Sequence, residues 1–259
     1  MTTPIACRIC GQPTRRVFDL RSHRNGAVVP VYRCAACDAF FTNGGRINYD
    51  DEDLTGYYQR FAGPITSRYE RVFERIEGTV RPQRFLDIGA GMGYSLEVAK
   101  RRGWQAAGIE PNRALASHAQ GRGLDVANGY LDASQSGQYE LILVDNVLEH
   151  VPDPAGFLRN AARLLATNGV LLVAIPPVDW LRKALAKIPY VRNRVQRPQL
   201  NVFGEVDEHV NILGRRAMGK LIRAVGLRLS RTRMHHSKVY DNGAVRALGL
   251  DDGYYVVTR

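Results

Sequence analysis

Residues 85–93 read Phe-Leu-Asp-Ile-Gly-Ala-Gly-Met-Gly, a short apolar run that breaks into glycine at every second position. Glycines at 89, 91 and 93 let the backbone turn sharply and approach a ligand with no Cβ in the way. A helix-like segment over 94–102 follows, so the pattern is strand, glycine turn, helix. The dinucleotide-binding fingerprint would need glycine at 89, 91 and 94, and position 94 is Tyr. An acid, Asp87, instead stands two residues before the first glycine. A carboxylate there is poorly placed against a pyrophosphate and well placed for a cation. A second acid, Glu110, ends the next apolar run, 106–109, where a carboxylate usually partners ribose hydroxyls.

The rest of the chain alternates strand and helix, the signal of a parallel sheet with crossover helices. Strands are expected over 84–88, 105–109, 125–128, 141–145 and 169–175, with late strands near 228–234 and 254–258. Helices are expected over 66–76, 94–102, 113–122, 155–166 and 215–225; the last is marked by apolar Ala217, Met218, Leu221, Ile222 and Val225. The two acids and the glycine turn together describe a ligand with a ribose and a positive charge but no diphosphate. S-adenosylmethionine fits that description.

From about residue 60 onward, an ordered set of segments carries a family resemblance. After the glycine turn and Glu110-Pro111 come Gly129-Tyr-Leu-Asp132 and Tyr139-Glu-Leu-Ile-Leu-Val-Asp-Asn-Val-Leu-Glu-His150. Val151-Pro-Asp-Pro154 and the apolar run 164–177 close the set. In this order the chain resembles the class I S-adenosylmethionine-dependent methyltransferases. The resemblance implies a Rossmann-like α/β fold, a mostly parallel seven-stranded sheet with helices on both faces and an antiparallel final strand. It also implies a cofactor site built from Asp87, Gly89, Ala90, Gly91, Gly93, Tyr94, Glu110, Pro111, Tyr130, Leu131, Asp132, Asp145 and Asn146. The amides of the glycine turn would face the methionine carboxylate, since a helix N-terminus favours anions. Asp87 would balance the methionine ammonium or a water on it, and Glu110 would accept from both ribose hydroxyls. Position 130, where the family often has Asp for the adenine amino group, is Tyr; the backbone of Leu131, or Asp132, is the substitute.

All four cysteines lie at the start of the chain, as Cys7-Arg-Ile-Cys10 and Cys34-Ala-Ala-Cys37. Two such knuckles form the tetrathiolate set of a structural zinc ion. Disulfides would need an oxidising compartment, and the N-terminus has neither the basic start nor the apolar core of an export signal. Four protein ligands leave a zinc ion no open position for catalysis. Short strands near 16–20 and 27–32 complete a small ribbon that the metal would stabilise, and Phe40-Phe41 is expected to pack it on the larger domain. The expected layout is a zinc ribbon over 1–42, a connector and helical segment over 43–80, and a methyltransferase domain over 81–259 with a lid insertion at about 178–212. In the connector, Tyr57 and Tyr58 are candidates for closing over the cofactor or for ordinary packing.

The net charge is +11, and residues 178–240 alone hold 14 Lys or Arg against 4 Asp or Glu. This suits either a solvated face or a surface for an anionic partner. The lid interleaves Trp180, Leu181, Leu185, Ile188 and Tyr190 with basic residues, which fits a cap on the pocket or, with peripheral membrane contact, docking of a lipid-linked or phosphorylated substrate. No apolar run is long enough to span a membrane, and a cytoplasmic location is expected.

Near the end of the lid insertion, Glu208-His209 resembles the catalytic region of sugar C-methyltransferases. His209 is the candidate general base with Glu208 beside it, and His150 is the next candidate; each also admits a structural reading. The expected function is methyl transfer from S-adenosylmethionine to oxygen or carbon of a small molecule or a glycan or natural-product intermediate. The N-terminal ribbon resembles that of bacterial sugar and natural-product enzymes. The alternative is an RNA methyltransferase of the ribosomal guanine type, whose ribbon and basic lid would grip nucleic acid.

Overall fold

The computed structural model describes residues 5–21, 26–42, 53–175, 209–235 and 253–259. The first strands are β1 (Arg15–Arg21), β2 (Val28–Arg33) and β3 (Phe40–Thr42). Helices α1 (Thr55–Arg60) and α2 (Ala62–Ile76) lead into β4 (Arg84–Ile88). Then follow α3 (Tyr94–Arg101), β5 (Gln105–Glu110), α4 (Arg113–Gly121) and β6 (Asp125–Asn128). Next come β7 (Tyr139–Asp145), α5 (Pro154–Arg163) and β8 (Leu165–Ala174). The C-terminal part holds β9 (Asn211–Ile212), α6 (Arg215–Ala224), β10 (Arg228–His235) and β11 (Gly253–Thr258).

Seven strands form the central sheet in the order β10-β11-β8-β7-β4-β5-β6. The five strands from β8 to β6 are parallel, and β11 inserts antiparallel between β8 and β10. Side chains alternate across this sheet with period 2. Leu86, Ile88, Ile142 and Val144 pack on one face with Leu158 and Ala161 of α5 and with Met218, Leu221 and Ile222 of α6. Phe85, Leu141 and Leu143 pack on the other with α2, α3 and α4, where Phe73 meets Phe85 and Trp104 at ring separations of 5.1 and 5.0 Å. Each fully buried side chain of this kind contributes roughly 1.5–3 kcal/mol. Local signals agree: Asn112 caps α4 through Leu115 N–H at 3.0 Å, and Asp153 caps α5, whose first residue is Pro154.

Several boundaries differ from the sequence expectation: α2 starts at Ala62, not 66, with α1 before it in the expected connector, and β7 starts at Tyr139, not 141. Strand β8 starts at Leu165, not 169, and α5 correspondingly stops at Arg163, because Tyr139 at the start of β7 already pairs with Leu165. The N-terminal ribbon is also less separate than its composition suggests. Its sheet has four strands, β1-β2-β3-β9, so residues 211–212, expected at the end of a lid, close the ribbon instead. Arg8 bonds the carbonyls of Val210 and Thr42, Lys220 of α6 reaches the Ala36 carbonyl at 2.6 Å, and Phe41 lies in the core shared with the sheet. The lid residues 178–208, Trp180 among them, lie outside the described residues.

Candidate active site

The sheet order reverses beside β4, which lies between β5 and β7; open α/β sheets bind ligands at such a switch point, beyond the carboxyl ends of the strands. A cleft of about 970 Å³ opens there, floored by the ends of β4, β5 and β7 and walled by α1 and α2. The glycine turn shapes its floor. Gly91 has φ 54°, and a Cβ on it would press on the Tyr58 ring at 3.3 Å; Gly93, with φ 80°, starts α3 against Leu124.

Glu110, at the tip of β5, is 6% exposed, and its orientation is set by two backbone amides. Gly91 N–H donates to Oε2 at 2.7 Å and Asn112 N–H to Oε1 at 2.8 Å. Burial pushes its carboxyl up from the usual range, and the two amides oppose that shift. One lone pair per oxygen remains for a diol in the cleft. Across the cleft, Asp145 ends β7 and accepts at Oδ2 from Arg68 Nη2 (2.6 Å), Tyr254 OH (2.9 Å) and Tyr69 OH (3.1 Å). Asn146 follows with φ 56°, a left-handed turn that Asn tolerates, and Val147 then packs over Gly89.

Of the residues singled out in the sequence, Gly89, Ala90, Gly91, Tyr94, Glu110, Pro111, Tyr130, Leu131, Asp145, Asn146 and His150 line the cleft. Three of the expected cofactor residues do not. Asp87 is buried behind the glycine turn, its Oδ2 accepting from the Ser95 hydroxyl, and burial pushes its carboxyl up to about 7. Gly93 serves as the start of α3, and Asp132 sits on the surface in a turn with Ser134. The amides of the glycine turn, expected to face the methionine carboxylate, have partners within the protein. Gly89 and Ala90 N–H donate to the Ile109 carbonyl, Gly93 N–H to the Ala90 carbonyl, and Gly91 N–H to Glu110. These donors build the turn, because the β4–β5 pairing runs on into it.

The catalytic candidates separate. His150 lines the cleft, whereas His209 is not among the lining residues and packs edge-on against His150 at 4.9 Å between ring centroids. Glu208 lies outside the described residues. Beside His150, Glu149 is buried, and its carboxyl is pushed up to about 8 by that burial. Asn211 ties the two segments together. Its Nδ2 donates to the carbonyls of Leu148 (2.8 Å) and Val151 (2.6 Å), and its backbone N–H to that of Glu149 (3.0 Å).

Sequence reasoning missed Arg68, Tyr69, Tyr254, Glu149 and Asn211. Arg68 and Tyr69 are on a helix whose apolar stripe reads as packing, and Tyr254 is more than a hundred residues from Asp145 in the chain. Tyr57 and Tyr58 both line the cleft, Tyr58 beneath and Tyr57 exposed at the rim. In the ribbon, the four cysteines converge as free thiols, with Sγ–Sγ separations of 3.5 Å (Cys7–Cys37), 3.6 Å (Cys34–Cys37), 3.7 Å (Cys10–Cys34) and 2.9 Å (Cys10–Cys37). Sulfurs at the corners of a tetrahedron about a zinc ion, each about 2.3 Å from it, lie about 3.8 Å apart. The donor set and the first three separations fit that ion, and the fourth pair would open on binding it.

A family model described as a methyltransferase domain matches residues 58–231, the stretch that builds the cleft. The chain belongs to the methyltransferase domain family. This methyltransferase-family chain is 35% identical over 114 residues to the ubiquinone biosynthesis O-methyltransferase of Caulobacter sp. (strain K31), a match covering 40% of this chain and 45% of that protein. The chain thus spans less than half the length of that curated relative. Among solved structures, it superposes on an S-adenosylmethionine-dependent methyltransferase from Clostridium acetobutylicum with TM-score 0.57 at 10% identity, over 79% of this chain and 98% of that one. A counterpart from Archaeoglobus fulgidus gives 0.54 at 14%, over 80% and 99%. At these identities the superpositions establish the Rossmann-like fold. Among the described residues, no helix is long and apolar enough to cross a membrane.

Proposed function

We propose that the cleft binds S-adenosylmethionine and that the protein transfers its methyl group to a small-molecule acceptor, at oxygen or carbon. The observation that carries this reading is Glu110, whose carboxylate is held by the Gly91 and Asn112 amides beside the glycine turn, with an acceptor position left on each oxygen. Arg68 and Asp145 occupy the opposite wall, where the amino-acid end of the cofactor would lie. In the reaction the acceptor atom attacks the methyl carbon in line as the carbon–sulfur bond breaks, giving the methylated acceptor, S-adenosylhomocysteine and a proton. The chain's share of this is alignment within the cleft and exclusion of water by Tyr57, Tyr58 and Phe61 of the α1 region. The acceptor would enter on the side of Val151, Phe157 and His150. The matched relatives are named as O-methyltransferases of ubiquinone biosynthesis, which favours a small acceptor over RNA. We place one structural zinc on Cys7, Cys10, Cys34 and Cys37, whose reduced state suits the cytoplasm. Calorimetry with S-adenosylhomocysteine, followed by mass spectrometry for products heavier by one methylene over candidate acceptors, tests the function. Absence of any cofactor binding rejects it.

A further inference from the structure

We infer that Glu149, His150 and His209 form a site for a first-row divalent cation at the wall of the cleft, separate from the four cysteines. The candidate ligand atoms of the three residues all lie within 4.8 Å of one another, and His150 Nε2 is 3.8 Å from Glu149 Oε1. Ligands about 2.0–2.2 Å from one tetrahedral ion lie about 3.3–3.6 Å apart, so the widest pair closes by at most about 1.5 Å to complete the site. Side-chain rotation supplies shifts of that size without backbone change.

The second observation is Glu149 itself. Its side chain is 3% exposed, and among the described residues neither carboxylate oxygen accepts a hydrogen bond from another residue. A buried carboxylate in that condition is strongly disfavoured as an anion, and a cation between it and the two imidazoles removes the penalty. The remaining atoms are already in place. Asn211 fastens residues 148–151 to β9, Thr42 Oγ1 donates to the His209 carbonyl at 3.2 Å, and Arg8 bonds the Val210 carbonyl. His209 is thereby held beside His150 by the ribbon sheet.

Two imidazole nitrogens and one carboxylate oxygen suit Mn²⁺, Fe²⁺ or Zn²⁺ and leave coordination positions open, unlike the closed thiolate set of the ribbon. His150 faces the cleft, so the open positions are on the acceptor side. An acceptor hydroxyl on such an ion would lose its proton to water more readily, leaving the oxygen to attack the methyl group. This use rests on the methyl-transfer reading; binding of the cation does not.

The test is titration with Mn²⁺ of full-length protein carrying one zinc per chain, followed by electron paramagnetic resonance and calorimetry, with S-adenosylhomocysteine affinity measured on the same samples. One saturable Mn²⁺ per chain is expected, showing nitrogen couplings from two imidazoles, with at least tenfold weaker binding in Glu149→Gln and in His209→Ala. The couplings in the unaltered protein decide the matter even if a variant fails to fold. No saturable Mn²⁺ uptake, couplings without imidazole nitrogen, or equal affinity in folded variants would overturn the site. Cofactor affinity measured in parallel keeps that failure distinct from failure of the methyl-transfer reading.

Discussion

Arg68 of α2 reaches across the mouth of the sheet and places Nη2 2.6 Å from Oδ2 of Asp145 at the tip of β7. Tyr69 and Tyr254 donate to the same oxygen, so α2, β7 and β11 converge on one buried carboxylate. A residue that the sequence marks only as a cofactor contact is also the point where the helical wall of the cleft is fastened to its floor.

Replacing Arg68 by Met should therefore destabilise the fold by about 2–3 kcal/mol, less than the roughly 3–5 kcal/mol of breaking a fully buried pair, because the Arg68 side chain is 24% exposed. Tyr254→Phe should cost about 1–2 kcal/mol through one lost bond to a charged group. Urea denaturation reads both. A change below about 0.5 kcal/mol in Arg68→Met would show that solvent already screens the pair.

Glu110→Ala should weaken S-adenosylhomocysteine binding by about 1.5–3 kcal/mol, or roughly 10- to 150-fold, since hydrogen bonds to a charged group are lost. Stability should also fall, because the Gly91 and Asn112 amides lose their acceptor. Calorimetry well below the unfolding temperature separates the two effects. Equal affinity in the variant would remove the ribose assignment.

Asp87 predicts a pH dependence. An aspartate in the unfolded chain titrates near 3.9, while burial holds this one up to about 7 in the fold. Between about pH 4 and 7 the folded state keeps a proton that the unfolded state has lost, so stability falls as the pH rises through that window. The slope contributed is at most about 1.4 kcal/mol per pH unit, and it levels off above about pH 7. Asp87→Asn, which mimics the protonated form, should be markedly flatter between pH 5 and pH 8. Parallel stability profiles for the two proteins would show that Asp87 is ionised throughout.

Purified protein should carry one zinc that Cys34→Ser removes. Because β3 pairs with β9, zinc loss should also raise amide hydrogen exchange over residues 209–212, which follow the ribbon in space though not in sequence. Metal analysis and exchange mass spectrometry check the two halves. Unchanged exchange would mean that the ribbon sheet holds without the ion.

Local pattern was enough to determine the alternation of strands and helices, the glycine turn, the acid at the tip of β5 and the paired knuckles of the ribbon. Each depends on residues close together in the chain, where periodicity, turn chemistry and metal-ligand spacing act directly. The same reading put Asp87, Gly93 and Asp132 in the cofactor site, because nearness in sequence to a motif does not say which way a side chain points. Tertiary structure turned Asp87 away toward Ser95 and spent the turn's amides on the Ile109 carbonyl and on Glu110. Only packing across long separations brought Arg68 and Tyr254 to Asp145, and His209 to Glu149 and His150. A buried carboxylate takes its partners from whatever the fold delivers, and Asn211 joins residues 148–151 to β9 through bonds that no sequence period records.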